Sequence, residues 1–211
     1  MKLTNQEEYS PNESFRVIVN AAFECQIRFQ ILTTIWFCLR TWGTPVDRGQ
    51  LSPYPCTTLD FCQRFGTTTE RRVILRKFLA FRERLRREGL TNGFQWLDGS
   101  FLENVEVQRH RPPKDLDLVT VFWGYDLLFQ KRLLSSFPEV ANPTLSKAKY
   151  SLDHYPFDAG FNPTFTLEQT RYWILLFSHN RLGVWKGMLK LELNTPSEDA
   201  AAGYELAKFT P

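Results

Sequence analysis

The 211-residue chain is 43% hydrophobic and 15% aromatic, enough for one ordinary core with decorations or for two small ones. A formal charge of +3 is only mildly basic, so charge alone names no nucleic-acid partner. Cys25, Cys38, Cys56 and Cys62 form no C-x-x-C pair and His110, His154 and His179 give no zinc spacing, which leaves reduced thiols in a cytoplasmic protein.

The start is polar and acidic (Asn5, Glu7, Glu8), unlike the basic opening of a secretory signal. Phe15 to Trp42 is apolar but interrupted by Arg16, Glu24, Arg28 and Arg40. Its longest uncharged run, Phe29 to Leu39, is about half of the ~20 residues a membrane span needs. The stretch therefore reads as a buried or interface segment, and no membrane partner is expected. Within this N-terminal extension, residues 1–45, the period is ambiguous. Val17-Ile18-Val19 and Ile31 to Trp36 favour strand, while Phe23, Ile27 and Ile31 favour helix. Gly43 and three prolines then make residues 43–58 a loop or boundary.

The clearest helix follows. Thr67-Thr68-Thr69-Glu70 fits a capping box with Thr67 as the cap. Ile74, Phe78, Phe81 and Leu85 recur at helical spacing, and Gly89 is a natural stop. The other face carries Arg71, Arg72, Arg76, Lys77, Arg82, Arg84, Arg86 and Arg87. It reads as a solvated face partly paired with Glu83 and Glu88, or as a phosphate- or RNA-facing surface. Phe94 to Leu97 is a short strand candidate and Leu116 to Phe122 a stronger one. A helix is predicted over Tyr125 to Ser136, and another from Asn142-Pro143, with Asn as cap and Pro in the first turn. Lys149 to Tyr155 reads as a third strand, because Tyr155 precedes Pro156. Thr166-Leu167-Glu168-Gln169 is a second capping box, opening a helix that would bury Leu167, Ile174 and Phe177. Leu189, Leu191 and Leu193 alternate with Lys190 and Glu192 as a half-buried strand should. This order predicts an α+β fold, a mixed β-sheet flanked by helices, over residues 46–195, with residues 196–211 as a C-terminal tail.

One stretch carries chemistry: "DGSFLENVEVQRHRPPKDLDLV", residues 98–119. In a strand, Asp115 and Asp117 point to one face. Two carboxylates so close repel unless a cation neutralises them, and Mg²⁺ is a hard cation held by one or two carboxylates. A third acid would complete a two-metal site. Asp153, inside the third strand candidate, is the choice, and Asp158, beyond Pro156, is the alternative. Gly99-Ser100 supplies a turn in which backbone can approach a phosphate. Asp98 reads as hydrogen-bonding that turn's backbone. His154, on the opposite strand face from Asp153, reads as a core or surface histidine.

A strand, a Gly-Ser turn, a gap and D-x-D in a second strand together resemble the polymerase-β-like nucleotidyltransferase superfamily. More closely, "LSPYPCTTLDFCQRFG", "GFQWLDGSFLEN", "RPPKDLDLVTVF" and "YWILLFSHNRLGVWKGMLKLEL" resemble small bacterial proteins of uncharacterised function assigned to that fold. The likeness covers Leu51 to Leu193. It implies a nucleotidyltransferase-like sheet, with Gly99 and Ser100 as the triphosphate-binding turn and Asp115, Asp117 and Asp153 as catalytic metal ligands. It implies Mg²⁺ (or Mn²⁺) as cofactor and a nucleoside triphosphate, ATP, as substrate. Lys186, in the segment "SHNRLGVWKG", is either a phosphate contact or part of a hairpin-like turn with Trp185 packed inside. The 14 residues from Phe101 to Lys114 are a long gap for the pattern, either an exposed loop or a carrier of cations (Arg109, His110, Arg111) to the nucleotide.

The function expected from this resemblance is transfer of a nucleotidyl group to a hydroxyl on RNA, a protein or a small molecule. The rival is a catalytically silent binding module of the same fold, such as a subunit of a toxin–antitoxin or phage-defence system. A third reading leaves both acids on a solvated strand edge with no nucleotide.

Overall fold

A computed structural model describes residues 52–181 and 183–208. The N-terminal extension of residues 1–45, with its apolar stretch, Cys25 and Cys38, lies outside the described residues.

The described chain forms five strands: β1 (Tyr54–Pro55), β2 (Gly93–Asp98), β3 (Leu116–Phe122), β4 (Leu152–Asp158) and β5 (Leu189–Glu192). They make one open mixed sheet in the order β1-β5-β2-β3-β4. β2 runs antiparallel to both β3 and β5, whereas β3 and β4 are parallel, as are β1 and β5. Seven α-helices accompany it among the described residues: α1 (Thr58–Phe65), α2 (Thr69–Arg87), α3 (Val105–Arg109), α4 (Leu127–Ser136), α5 (Pro143–Tyr150), α6 (Pro163–Phe177) and α7 (Pro196–Ala207). The α+β fold class expected from the sequence is the one observed. No helix among the described residues is long and apolar enough to cross a membrane.

Alternation along the strands sorts the core into two layers. Leu97, Leu116, Leu118, Leu152, Leu189 and Leu191 face one way and share a core with Phe61 and Phe65 of α1, Ile74, Phe78, Phe81 and Leu85 of α2, and Leu206 of α7. Trp96, Val119, Val121 and Phe157 face the other way and pack on Trp173 and Phe177 of α6.

Local chemistry shifts several boundaries. The hydroxyl that caps α2 belongs to Thr68, which accepts from the Arg71 amide at 3.3 Å, so the helix begins one residue later than the Thr67 capping box predicts. Asp126 caps α4. Asn142 caps α5 as expected, accepting from the Thr144 and Leu145 amides. Lys149 and Tyr150 complete that helix instead of opening the third strand, and β4 runs on through Pro156 to Asp158. Pro156 is tolerated because β4 is the edge of the sheet. The cap of α6 is Asn162, not Thr166, whose hydroxyl instead donates to the Ala159 and Asn162 carbonyls. That frame buries Trp173 and Phe177 and turns Leu167 (72% exposed) and Ile174 outward, against the expectation that both are core.

Residues 196–211, read as a tail, contain α7, which is tied into the core by charge. Arg82 of α2, fully buried, donates from Nε to both oxygens of Asp199 at 3.0 Å, from Nη1 to Gln95 Oε1 at 2.7 Å and from Nη2 to the Glu192 carbonyl at 2.8 Å. The line continues across the sheet from Gln95 to Thr120 (3.0 Å) and from Thr120 to His154 Nε2 (2.8 Å). The Thr120 hydroxyl accepts from Gln95 and shares its second hydrogen bond with His154 Nε2. Burial pushes the His154 pKa down to about 3, so it is a core histidine.

The basic face of α2 is committed to the protein itself. Arg71 and Arg82 are wholly buried. Arg72 donates to the Gly66 carbonyl, Arg76 to the Leu206 carbonyl and Lys77 to Ser151. Arg84 pairs with Glu88, Arg86 with Asp199 and Arg87 with Glu83. The expected pairing with Glu83 and Glu88 is there, but much of this face staples neighbouring elements instead of facing solvent.

Candidate functional site

Sheet register brings the acids together. Asp117 of β3 has Asp98 of β2 as its cross-strand partner on one side and Asp153 of β4 on the other. Asp115 lies two residues before Asp117 and shares its face. Carboxylate oxygens of Asp115, Asp117 and Asp153, one from each, all lie within 4.8 Å of one another. They sit on the α6 side of the sheet, continuing the rows of Val119, Val121 and Phe157 to the sheet's end. Asp158 is elsewhere. It faces the other end of β3 at Phe122, and its carboxylate accepts from Gln130 and the Gly160 amide, each at 2.8 Å.

Three acids at this spacing carry an electrostatic cost. Burial first, then the neighbouring Asp115 and Asp153, push the Asp117 carboxyl up to about 6, against relief from Lys186 and Lys147. Lys147 of α5 is the direct counter-ion. Its Nζ lies 2.6 Å from Asp115 Oδ2 and 3.4 Å from Asp153 Oδ2, and the hydrogen bond to Asp115 chiefly holds its ammonium above its usual range. A hollow of about 490 Å³ opens beside this pair, lined by Pro143, Thr144, Lys147, Ala148 and Asp153.

The turn before the D-x-D presses on the same cluster. Gly99 adopts φ +84°, and a Cβ built there would lie 2.0 Å from Asp117 Oδ2. Only glycine fits this backbone against that carboxylate. Ser100 follows, half-buried, and opens a short 3₁₀ turn, Ser100–Leu102.

Beneath the turn lies a second charged group. Lys186, 8% exposed, places its Nζ 2.9 Å from Asp98 Oδ1, in a close ion pair rather than a directed hydrogen bond. The same ammonium lies 3.5 Å from Glu103 and donates to the Gly99 carbonyl at 3.3 Å. Burial raises the Asp98 pKa to about 7, with Lys186 pulling the other way. Lys186 is thus an internal anchor of the Gly99 turn, and it presents no charge outward to a phosphate. The expected hairpin-like turn forms, with His179 and Trp185 bridged antiparallel, but Trp185 is 58% exposed and packs on the His179 ring instead of inside the turn.

The gap between turn and D-x-D opens with a folded element. Phe101, Leu102 and Val105 are fully buried. Arg71 clamps the segment, donating to the Phe101 and Glu103 carbonyls at 2.6 and 2.7 Å and pairing with Glu106 at 2.6 Å. Arg109 pairs with Glu103 at 3.3 Å. The first half of the segment packs the turn against α2, while residues 110–114 form a largely exposed loop, as one of the two readings expects.

Three participants escape sequence reasoning: Lys147, Glu103 and the charge pairing of Asp98. Only the register of β2 on β3 could have flagged Asp98, because an acid directly before the Gly-Ser turn falls opposite Asp117 when the two strands pair antiparallel. Lys147 carries no local signal; it reaches the site because α5 leads into β4.

The donor set fits a hard divalent cation. It is three carboxylates, with no thiol or imidazole, mutually repelling and close enough for oxygens of all three to meet one ion. Fold and site together define an α+β protein whose open mixed sheet carries a carboxylate cluster against an obligatory glycine turn. The chain belongs to a family of unknown function, DUF6932, whose family model matches residues 42–192. That span takes in every residue of the site and ends before α7. Neither a curated protein nor a solved structure matches the chain.

Proposed function

We propose that this protein is a metal-dependent nucleotidyltransferase that moves a nucleotidyl group from a nucleoside triphosphate, ATP, to a hydroxyl acceptor. One observation carries the reading: Asp117 and Asp153 on two adjacent parallel strands, with Asp115 just before the first, converge with Asp117 directly against the Gly99 turn. The order of parts is that of the polymerase-β-like superfamily, which the sequence resembles.

In this reading Asp115, Asp117 and Asp153 hold Mg²⁺ or Mn²⁺. The bound metal supplies charge stabilisation at the phosphates and a lowered pKa for the attacking hydroxyl. Gly99 and Ser100 give the triphosphate a backbone it can approach closely. Lys186 keeps that turn in place from below, through Asp98, Glu103 and the Gly99 carbonyl. The hydroxyl oxygen forms a bond to the α-phosphorus, the bond between the α-phosphorus and its bridging oxygen breaks, and pyrophosphate leaves. In this reading Asp153, which borders the open hollow, takes the hydroxyl proton. The acceptor is RNA, a protein side chain or a small molecule. The basic face of α2 is a weaker argument for RNA among them, because Arg71 and Arg82 are buried and most of its other cations bond to neighbouring elements. A cytoplasmic location suits an ATP-consuming enzyme whose buried Cys62 is a reduced thiol.

The test is calorimetric titration with ATP and Mg²⁺, repeated on Asp115→Ala/Asp117→Ala, followed by a pyrophosphate-release assay across the three acceptor classes. Metal-dependent binding that the double variant loses, with pyrophosphate release, is the expected result. Absence of metal-dependent binding in the intact protein would sink the reading. Binding with no release on any acceptor would reassign the protein as a silent module.

A further inference from the structure

Two lysines approach the carboxylates, and they differ in one respect. Lys186 is buried and held on three sides. Lys147 has a side chain 50% exposed, its ammonium is held by Asp115 and Asp153, and it stands on the rim of the hollow that also reaches Asp153. Its Cα is fixed by α5, whose start is pinned by the Asn142 cap and Pro143. Its four-carbon stem is free to swing about that point, carrying a strongly hydrated point charge.

Lys147 and a divalent ion want the same oxygens. A cation bound by Asp115 and Asp153 takes the atoms that Lys147 now neutralises, and two cations cannot share them without repulsion. A concave surface adjoins the displaced ammonium, the hollow lined by Pro143, Thr144 and Ala148.

We propose that Lys147 is an exchangeable counter-ion: it neutralises Asp115 and Asp153 until a divalent cation displaces it, and it then becomes the phosphate-binding cation of the site. The inference rests on the carboxylate-site reading above, and it moves the phosphate-contact role that the sequence suggested for Lys186 to Lys147. It also explains how three acids coexist in the folded chain before a metal arrives. The two halves have opposite signs. Lys147 opposes binding of a metal alone and favours binding of a metal with a polyphosphate.

The test uses full-length protein at pH 8 in two calorimetric titrations, one with Mn²⁺ alone and one with the Mn²⁺ complex of inorganic tripolyphosphate. Wild type, Lys147→Met and Asp117→Asn are compared, with thermal melts to verify folding. Lys147→Met should bind Mn²⁺ about tenfold tighter, because a like charge beside the site is gone, and Mn²⁺–tripolyphosphate about tenfold weaker. A purely structural lysine would not move the two affinities in opposite directions. Mn²⁺ affinity that is equal or weaker in Lys147→Met, or tripolyphosphate affinity that is unchanged, overturns the inference and leaves the carboxylate site standing. Failure of Mn²⁺ to bind wild type and Lys147→Met alike, or undiminished binding by Asp117→Asn, overturns the site and the inference together.

Discussion

Asp117→Asn should make the protein more stable while disabling its metal site. Asp117 is flanked by Asp98 and Asp153 across the sheet and by Asp115 just before its own strand, and its carboxyl is pushed up to about 6 from an ordinary 3.8. A carboxylate raised that far costs the folded state about 2–3 kcal/mol wherever it is ionised. Asparagine keeps the shape and removes the charge, so in EDTA at pH 8 the variant should gain about that much. For a chain of this size the gain corresponds to a melting temperature higher by about 4–10 °C. The sign with pH is definite. The folded chain holds this proton more tightly than the unfolded one, so wild-type stability rises as pH falls from about 6 towards 3.8, and the variant's advantage shrinks over that window. Urea denaturation at several pH values, in EDTA and then in excess Mn²⁺, measures all of it. Mn²⁺ should reverse the order, stabilising wild type and leaving the variant behind. An Asn variant less stable than wild type at pH 8 in EDTA, or an advantage that persists undiminished at pH 4, would refute the repulsion argument.

Gly99→Ala forces a Cβ into Asp117 at a positive φ, so it should cost about 1–3 kcal/mol and weaken Mn²⁺ binding by displacing the carboxylate; equilibrium unfolding and calorimetry check the two effects. Lys186→Met strands Asp98 and Glu103 in the interior and should cost about 3–5 kcal/mol by urea unfolding, with part of the loss recovered in Lys186→Met/Asp98→Asn. Arg82→Met leaves Asp199 buried without its main partner, and amide exchange should show residues 196–207 losing protection before the sheet does. His154 stays neutral in the folded chain down to about pH 3, so its contribution is complete above pH 6.5 and is lost as pH falls from there towards 3. His154→Gln compared with wild type across that window should lack a loss of up to about 4 kcal/mol.

Much of the fold was legible because local rules sufficed. Leu189, Leu191 and Leu193 alternate with polar residues, and that period is a strand in any context. Ile74, Phe78, Phe81 and Leu85 trace one helix stripe, and each proved to be buried. Where two local signals competed, sequence reasoning chose wrongly. Thr166 had a capping-box partner, but Asn162-Pro163 sits earlier and starts the helix first, and the face packed on the sheet is that of Trp173 and Phe177, which leaves Leu167 and Ile174 outside the core. The arginines of α2 read as a solvent face because charge is normally exposed. Arg71 and Arg82 instead find enough acceptors inside to be buried without penalty from unmet hydrogen bonds.

The carboxylate site divides along the same line. By itself the sequence determined that Asp115 and Asp117 share a face, because alternation in a strand is a property of the backbone, and that Gly99 can adopt a conformation closed to other residues. Only the tertiary structure decided the rest. Parallel pairing of β4 with β3 set Asp153 opposite Asp117 and carried Asp158 to the far end. Antiparallel pairing of β2 added Asp98, and the approach of α5 delivered Lys147, a lysine that no local pattern singles out. Register and layer packing are long-range choices fixed by which apolar faces can be buried together, and no window of neighbouring residues contains them.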